Sequence, residues 1–200
     1  MITNQGGRMR SDTRRNQRRL LEAASEVVRE SPDEVTMQKI AARAEIAVAT
    51  AYRYFSSVDE LLAAYMVNVI GQLREYGDHA IGQGRALFED LVGEWIRLIG
   101  VHGPALVQLR SRRGFLDRLH AEDALIAAVA DVWRRPVRQL LRDLDMSDAE
   151  LPYALFLYNM IFDPREILDL TARSGWTSAK VQARLTACYL GALRAWQLTD

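Results

Sequence analysis

Thr36–Leu62 reads TMQKIAARAEIAVATAYRYFSSVDELL, and the fold turns on how this stretch is parsed. Thr36 is placed to cap a helix, and Met37, Ile40, Ala41 and Ala44 follow at helical spacing. Ile46 plugs the corner that comes next. Ala47 to Phe55 then make a second short helix whose outer face carries Thr50, Tyr52, Arg53 and Tyr54. Ser57, with Glu60 three residues on, is a capping box that starts a third helix near Val58. Ala41, Ala44 and Ala51 keep the crossing between the two short helices thin, as a helix-turn-helix requires. Such a unit offers its second helix to the DNA major groove.

Residues 20 to 62 resemble the N-terminal domain of the tetracycline-repressor (TetR) family of bacterial regulators. The resemblance rests on LLEAASEVV in helix 1, VTMQKIAARA, the AYRYF cluster and the SxxELL entry to helix 4. The chain departs from the family pattern at four places. Glu45 stands at the turn where Gly is common, so it is expected to take positive φ at a modest cost. Ala47 cannot cap helix 3, Val58 replaces a frequent Lys, and the loop after helix 1 reads SPDE.

The resemblance implies base contacts from Val48, Ala49 and Tyr52, helped by Gln38, and phosphate contacts from Met37, Thr50 and Tyr54. Arg14, Thr36 and Arg53 complete the expected DNA surface. Val48 and Ala49 offer only apolar contact with a thymine methyl, whereas Gln38 can pair bidentately with adenine. Discrimination is therefore expected from apolar contacts, Gln38, Tyr52 and DNA shape.

Net charge is zero over 200 residues, but unevenly spread. Arg8, Arg10, Arg14, Arg15, Arg18 and Arg19 face only Asp12 in the first nineteen residues. A basic start on a chain that is otherwise slightly acidic fits a protein touching phosphate at one end. Residues 1–13 are read as a flexible basic arm. It either enters an adjacent minor groove or contacts phosphates without order.

The rest of the chain reads as all-α: an N-terminal three-helix helix-turn-helix head (residues 14–57) and a larger C-terminal helical bundle (residues 58–200), about nine helices in all. Helix 1 is expected from about Arg14 to Glu30 and helix 4 from Val58 to about Tyr76. Residues 86–101 are apolar nearly all round and belong at the centre of the bundle. Gly103-Pro104 is expected to start a short helix closed near Arg112-Arg113-Gly114. A long helix from about Ala121 to Leu144 should kink at Pro136. A further helix begins near Ser147, is interrupted at Asp163-Pro164 and ends by Gly175. The last is capped at Thr177 or Ser178.

In the family the C-terminal domain binds a small, often apolar effector. Trp95, His102, Phe115, His120, Trp133, Tyr158, Phe162 and Trp176 are the candidates for lining its site, against the plain alternative that helically spaced aromatics are core. The last helix carries Ala183, Ala187, Gly191 and Ala195 along one side, a row that lets another helix approach closely. It is the candidate dimer interface, matching the family's pairing through its last two helices. Val181, Leu185, Cys188, Tyr189, Ala192 and Trp196 are expected to bury on the other side.

Catalysis is not expected. His79, His102 and His120 show no metal-ligand spacing, Cys188 is the sole cysteine, and there is neither a glycine-rich phosphate loop nor a nucleophile elbow. No cofactor and no metal are implied. No apolar run reaches membrane-spanning length, so the expected location is the cytoplasm. These readings add up to a dimeric regulator, most readily a repressor, that binds a palindromic operator in double-stranded DNA and is released by a small, largely apolar effector. The alternatives are an activator or effector-independent regulator of the same fold and, more distantly, a helical small-molecule binder or enzyme.

Overall fold

In the computed structural model, which describes residues 5–108 and 114–197, α1 (Gln5–Glu30) turns Leu20, Ala23, Ala24, Val27 and Val28 to one buried face. It begins at Gln5, well before the expected Arg14, so residues 5–13 are helical here. Nothing from Gln5 to Ser31 forbids a helix, since the first proline is Pro32, and Asp12 pairs with Arg15 one turn on at 3.4 Å. The first four residues of the proposed arm lie outside the described residues.

A 3-10 turn (Pro32–Glu34) leads into α2 (Met37–Arg43), then α3 (Val48–Tyr54) and α4 (Val58–His79). The Thr36 side chain accepts from the Lys39 N–H at 3.3 Å, as a cap should. Ala41 and Ala51 are fully buried and Ala44 nearly so, which makes room for the α2–α3 crossing. Ser57 Oγ accepts from the Glu60 N–H at 3.1 Å. The returning half of the capping box lands one residue early, because Glu60 accepts from the N–H and hydroxyl of Ser56, both at 2.6 Å. Those two bonds hold the Glu60 carboxyl below its usual range.

Glu45 has φ +53°, as the sequence predicts. Its N–H donates to Ala42 O (3.1 Å) and the Ile46 N–H donates to Ala41 O (2.9 Å), a Schellman closure with Glu45 at the left-handed position. The same pair of bonds closes α6 (Phe115–His120) around Glu122, φ +53°, and α7 (Ala124–Asp143) around Asp145, φ +56°. Left-handed backbone costs a residue with a Cβ about 1–2 kcal/mol. Glu45→Gly is accordingly expected to raise stability by about 1 kcal/mol, read as a higher urea midpoint with unchanged slope. The Arg19–Glu45 ion pair (3.0 Å) that it removes is exposed and contributes little.

The chain separates into two compact units, Met1–Met66 and Val67–Asp200. The division falls inside α4 and not at its start. Leu61, Leu62, Tyr65 and Met66 are buried, and the Tyr65 hydroxyl donates to Ser25 Oγ at 2.9 Å.

In the second unit α5 (Gly84–Gln108) is the central element and packs against α7, α9 (Pro164–Ala172) and α10 (Ser178–Gln197). All eight of its large apolar residues from Leu87 to Ile99 are buried. The helix does not restart at Gly103-Pro104 as expected but runs on to Gln108. Gly103 is held by packing, since a Cβ there would lie 2.8 Å from Leu168 Cδ1 on α9. The proposed closure at Arg112-Arg113 lies outside the described residues. The helix Phe115–His120 has no counterpart among the expected elements. Asp123 separates it from α7, accepting from the N–H groups of Leu125 (3.2 Å) and Ile126 (3.1 Å) while Arg118 grips both its oxygens. α7 passes through Pro136 without interruption. α8 (Leu151–Ile161) follows, and Asp163 caps α9 through Arg165 N at 2.9 Å. No strand occurs among the described residues.

Candidate functional site

The surface expected to read DNA is built on α2 and α3, which pack against each other and, through α2, on α1. Arg43 at the end of α2 donates to Glu26 (2.8 Å) and to Glu30 on α1, fixing α2 against it. On the free side Gln38, Ala49, Tyr52 and Arg53 are exposed, and Val48, Thr50 and Tyr54 are partly so. Tyr52 is 46% exposed, whereas Phe55 is buried and closes the small core. The alternative that Tyr52 merely fills that core is therefore removed. Tyr54 is braced: Asn16 donates to its hydroxyl at 3.3 Å, and the Arg53 guanidinium lies 5.8 Å from its ring centre. The Asn16 bond is the main reason its phenol sits below the usual range. Thr36 and Arg14 are exposed.

Met37 lies on the apolar face of α2, as its helical spacing with Ile40 and Ala41 predicts. Its side chain is buried in the core, so only its main chain can face a phosphate. It occupies the first turn of a helix, where the N–H groups lack intrahelical partners. Asn16 was missed, because a polar residue in an arginine-rich helix carries no sequence signal of its tie to Tyr54, 38 residues away.

In the second unit four of the eight proposed ligand residues converge. Trp95, Trp133, Tyr158 and Phe162 are buried with Phe88 and Tyr189 in one aromatic cluster. Tyr158 lies 4.0 Å from Trp133 and 5.0 Å from Phe162, centre to centre. Trp95 Nε1 donates to Phe162 O at 3.2 Å, and the Tyr189 hydroxyl donates to Ala154 O at 2.9 Å. The adjacent Trp133 indole makes at most a poorly aligned hydrogen bond, and none of good geometry reaches the Tyr158 hydroxyl. Burial first, and then neighbouring Tyr189, push its pKa well up, so it stays a neutral donor. An unpaired buried hydroxyl costs about 1–3 kcal/mol. Tyr158→Phe is expected to raise the melting temperature by a few degrees, and a lower one would mean that the hydroxyl is already satisfied.

The other four residues do not join this cluster. Phe115 is buried on α6, and His102 is half-buried on α5. His120 is exposed with Nδ1 2.7 Å from Leu116 O, and Trp176 lies under the Lys180 ammonium at 4.3 Å.

On α10 the row Ala183, Ala187, Gly191 and Ala195 is exposed, with open space where a Gly191 Cβ would project. The buried face is rotated from the expected one. Val181, Thr186, Tyr189, Leu190 and Leu193 are inside, whereas Cys188 and Trp196 are exposed. Trp196 stacks on exposed Tyr153 of α8 at 5.8 Å, which gives that aromatic pair a surface position.

A helix-turn-helix with a polar and aromatic second helix facing outward defines the first unit as a DNA-binding domain. Residues 20–65 match the family model described as bacterial regulatory proteins, tetR family, which identifies the first unit as that family's helix-turn-helix domain. Among solved structures it is similar to a tetR-family transcriptional regulator from Streptomyces coelicolor (21% identity, 92% of this chain and 83% of that one, TM-score 0.61). A TetR transcriptional regulator from Rhodococcus sp. RHA1 is comparable (22%, 90% and 96%, 0.61). So is Thermus thermophilus FadR, a repressor solved with lauroyl-CoA (20%, 87% and 93%, 0.60). At these identities the likeness establishes the fold. No curated protein matches the sequence. No helix among the described residues is long and apolar enough to cross a membrane.

Proposed function

We propose that the chain is a cytoplasmic, non-catalytic repressor that binds a palindromic operator as a homodimer and lets go when a small effector enters its second unit. The observation that carries the DNA-binding part is the outward set Gln38, Ala49, Tyr52 and Arg53 on two helices whose other faces are buried. Two such surfaces in a symmetric dimer must sit about one DNA turn apart, roughly 34–36 Å. The exposed α10 row and the Tyr153–Trp196 pair support pairing through α8 and α10, because a large exposed apolar patch calls for a partner.

The effector reading draws on the relatives, of which the Thermus thermophilus FadR structure holds lauroyl-CoA and the Bacillus subtilis FadR structure stearoyl-CoA. An effector releases DNA only through unequal affinity for the DNA-bound and released states. A gel shift on DNA flanking the protein's own gene tests the reading, with retarded DNA expected and its loss on adding effector. All four tryptophans lie in the second unit, so the effector should change their fluorescence while operator DNA changes it little. Failure to retard that DNA at low salt, with the protein folded, speaks against the reading.

A further inference from the structure

Tyr54 is the last residue of α3 and stands partly exposed on its free side. Asn16 Nδ2 on α1 donates to the Tyr54 hydroxyl oxygen at 3.3 Å. Arg53 and Thr13 act on that oxygen in the same sense, as weaker donors, and the Arg53 guanidinium lies 5.8 Å from the ring centre. Thr13 and Asn16 share one face of α1 with buried Leu20, whereas Arg14, Arg15 and Arg18 are exposed.

A phenol has one proton to give and an oxygen that can also accept. Among the described residues, each partner of the Tyr54 hydroxyl gives it a hydrogen. The oxygen is therefore loaded from the α1 side, and its own proton is left to point away from the protein. Accepting also makes the O–H a stronger donor, because hydrogen bonds in a chain polarise one another. In a helix-turn-helix the N-terminal residues of the second helix contact base edges. Tyr54 stands at the opposite end of α3, where the duplex offers its backbone, and phosphate oxygens are charged acceptors.

We propose that Asn16 is a positioning residue for DNA binding: by donating to Tyr54 it turns the phenol O–H outward and commits it to a phosphate oxygen. The inference rests on the DNA-binding reading above and fixes the polarity of one contact within it. Asn16 then contributes to affinity for any duplex and not to the choice of sequence, since a phosphate carries no sequence information. The opposite polarity, with Tyr54 donating to the Asn16 side-chain oxygen, would use up the proton inside the protein. The phenol oxygen would then face the phosphate with no hydrogen between them.

Two measurements on the full-length protein decide the matter. Fluorescence anisotropy at low salt follows binding to a duplex of unrelated sequence and to DNA flanking the gene. Tyr54→Phe should weaken both roughly tenfold, the loss of a hydrogen bond to a charged acceptor. Asn16→Ala should weaken both several-fold, and should add nothing to Tyr54→Phe in the double variant. The second measurement is the titration of the Tyr54 ring signal by NMR without DNA, assigned through Tyr54→Phe. Asn16→Ala should move its pKa up towards that of an ordinary tyrosine, and Asn16→Asp should carry it further, because a carboxylate accepts the proton. A Tyr54 pKa that falls or stays still in Asn16→Ala protein overturns the proposal, since Asn16 is then not the donor. So does undiminished binding by folded Asn16→Ala or Tyr54→Phe protein, additivity in the double variant, or a loss confined to one sequence. If the unaltered protein binds neither duplex, the DNA-binding reading falls and the phosphate contact with it, while the NMR titration still reports the polarity of the Asn16–Tyr54 bond.

Discussion

Tyr52→Ala and Gln38→Ala each lower affinity for the operator by about 1–3 kcal/mol, roughly 5- to 150-fold, while affinity for unrelated DNA hardly changes. Both side chains are exposed and neither carries the core, so the folded unit survives their loss. Gln38 supplies the amide that can pair with adenine, and Tyr52 the largest apolar surface on α3. The basic start of α1 behaves differently. Removing residues 1–13 takes away Arg8 and Arg10 with Asp12, and should weaken binding to every sequence. It should also flatten the salt dependence, by about 0.9 in log–log slope for each phosphate that is no longer neutralised. Fluorescence anisotropy across a salt series separates the two behaviours. An unchanged operator affinity in folded Tyr52→Ala protein would remove Tyr52 from the reading surface.

For the proposed dimer, Gly191→Leu is expected to give a monomer that no longer binds the operator. Glycine inside a helix costs about 1 kcal/mol relative to alanine, and within one subunit nothing lies where its Cβ would project. A second subunit approaching along Ala183, Ala187 and Ala195 supplies the missing reason, and a leucine would then overfill the crossing. Sedimentation should give a monomer with near-normal helicity. An intact dimer would place this row on the solvent side and leave the alanines as ordinary helix formers.

The first unit was legible because its signals are local. Caps at Thr36 and Ser57, small residues at the crossing and the AYRYF cluster all act within a turn or two of chain, and even the strained Glu45 follows from its place after α2. The second unit was less legible because its sites join residues far apart in the chain. The aromatic cluster includes Phe88 and Tyr189, which sequence alone assigns simply to core, and it excludes His120 and Trp176, whose types suggested a pocket. Glycine and proline at 103–104 read as a break, yet both lie within a continuous helix, with the glycine against the Leu168 side chain of α9.

Hydroxyl-radical footprinting on DNA flanking the gene reads out the symmetry of the complex. A dimer presenting two copies of the α2–α3 surface predicts two protected patches related by a dyad, their centres about one helical turn apart, roughly 34–36 Å. Tyr52→Ala should erase both patches together at the concentration where the unaltered protein gives full protection. A single uninterrupted patch without symmetry, or protection that Tyr52→Ala leaves intact, would rule out a dyad-related pair of α2–α3 surfaces on the DNA.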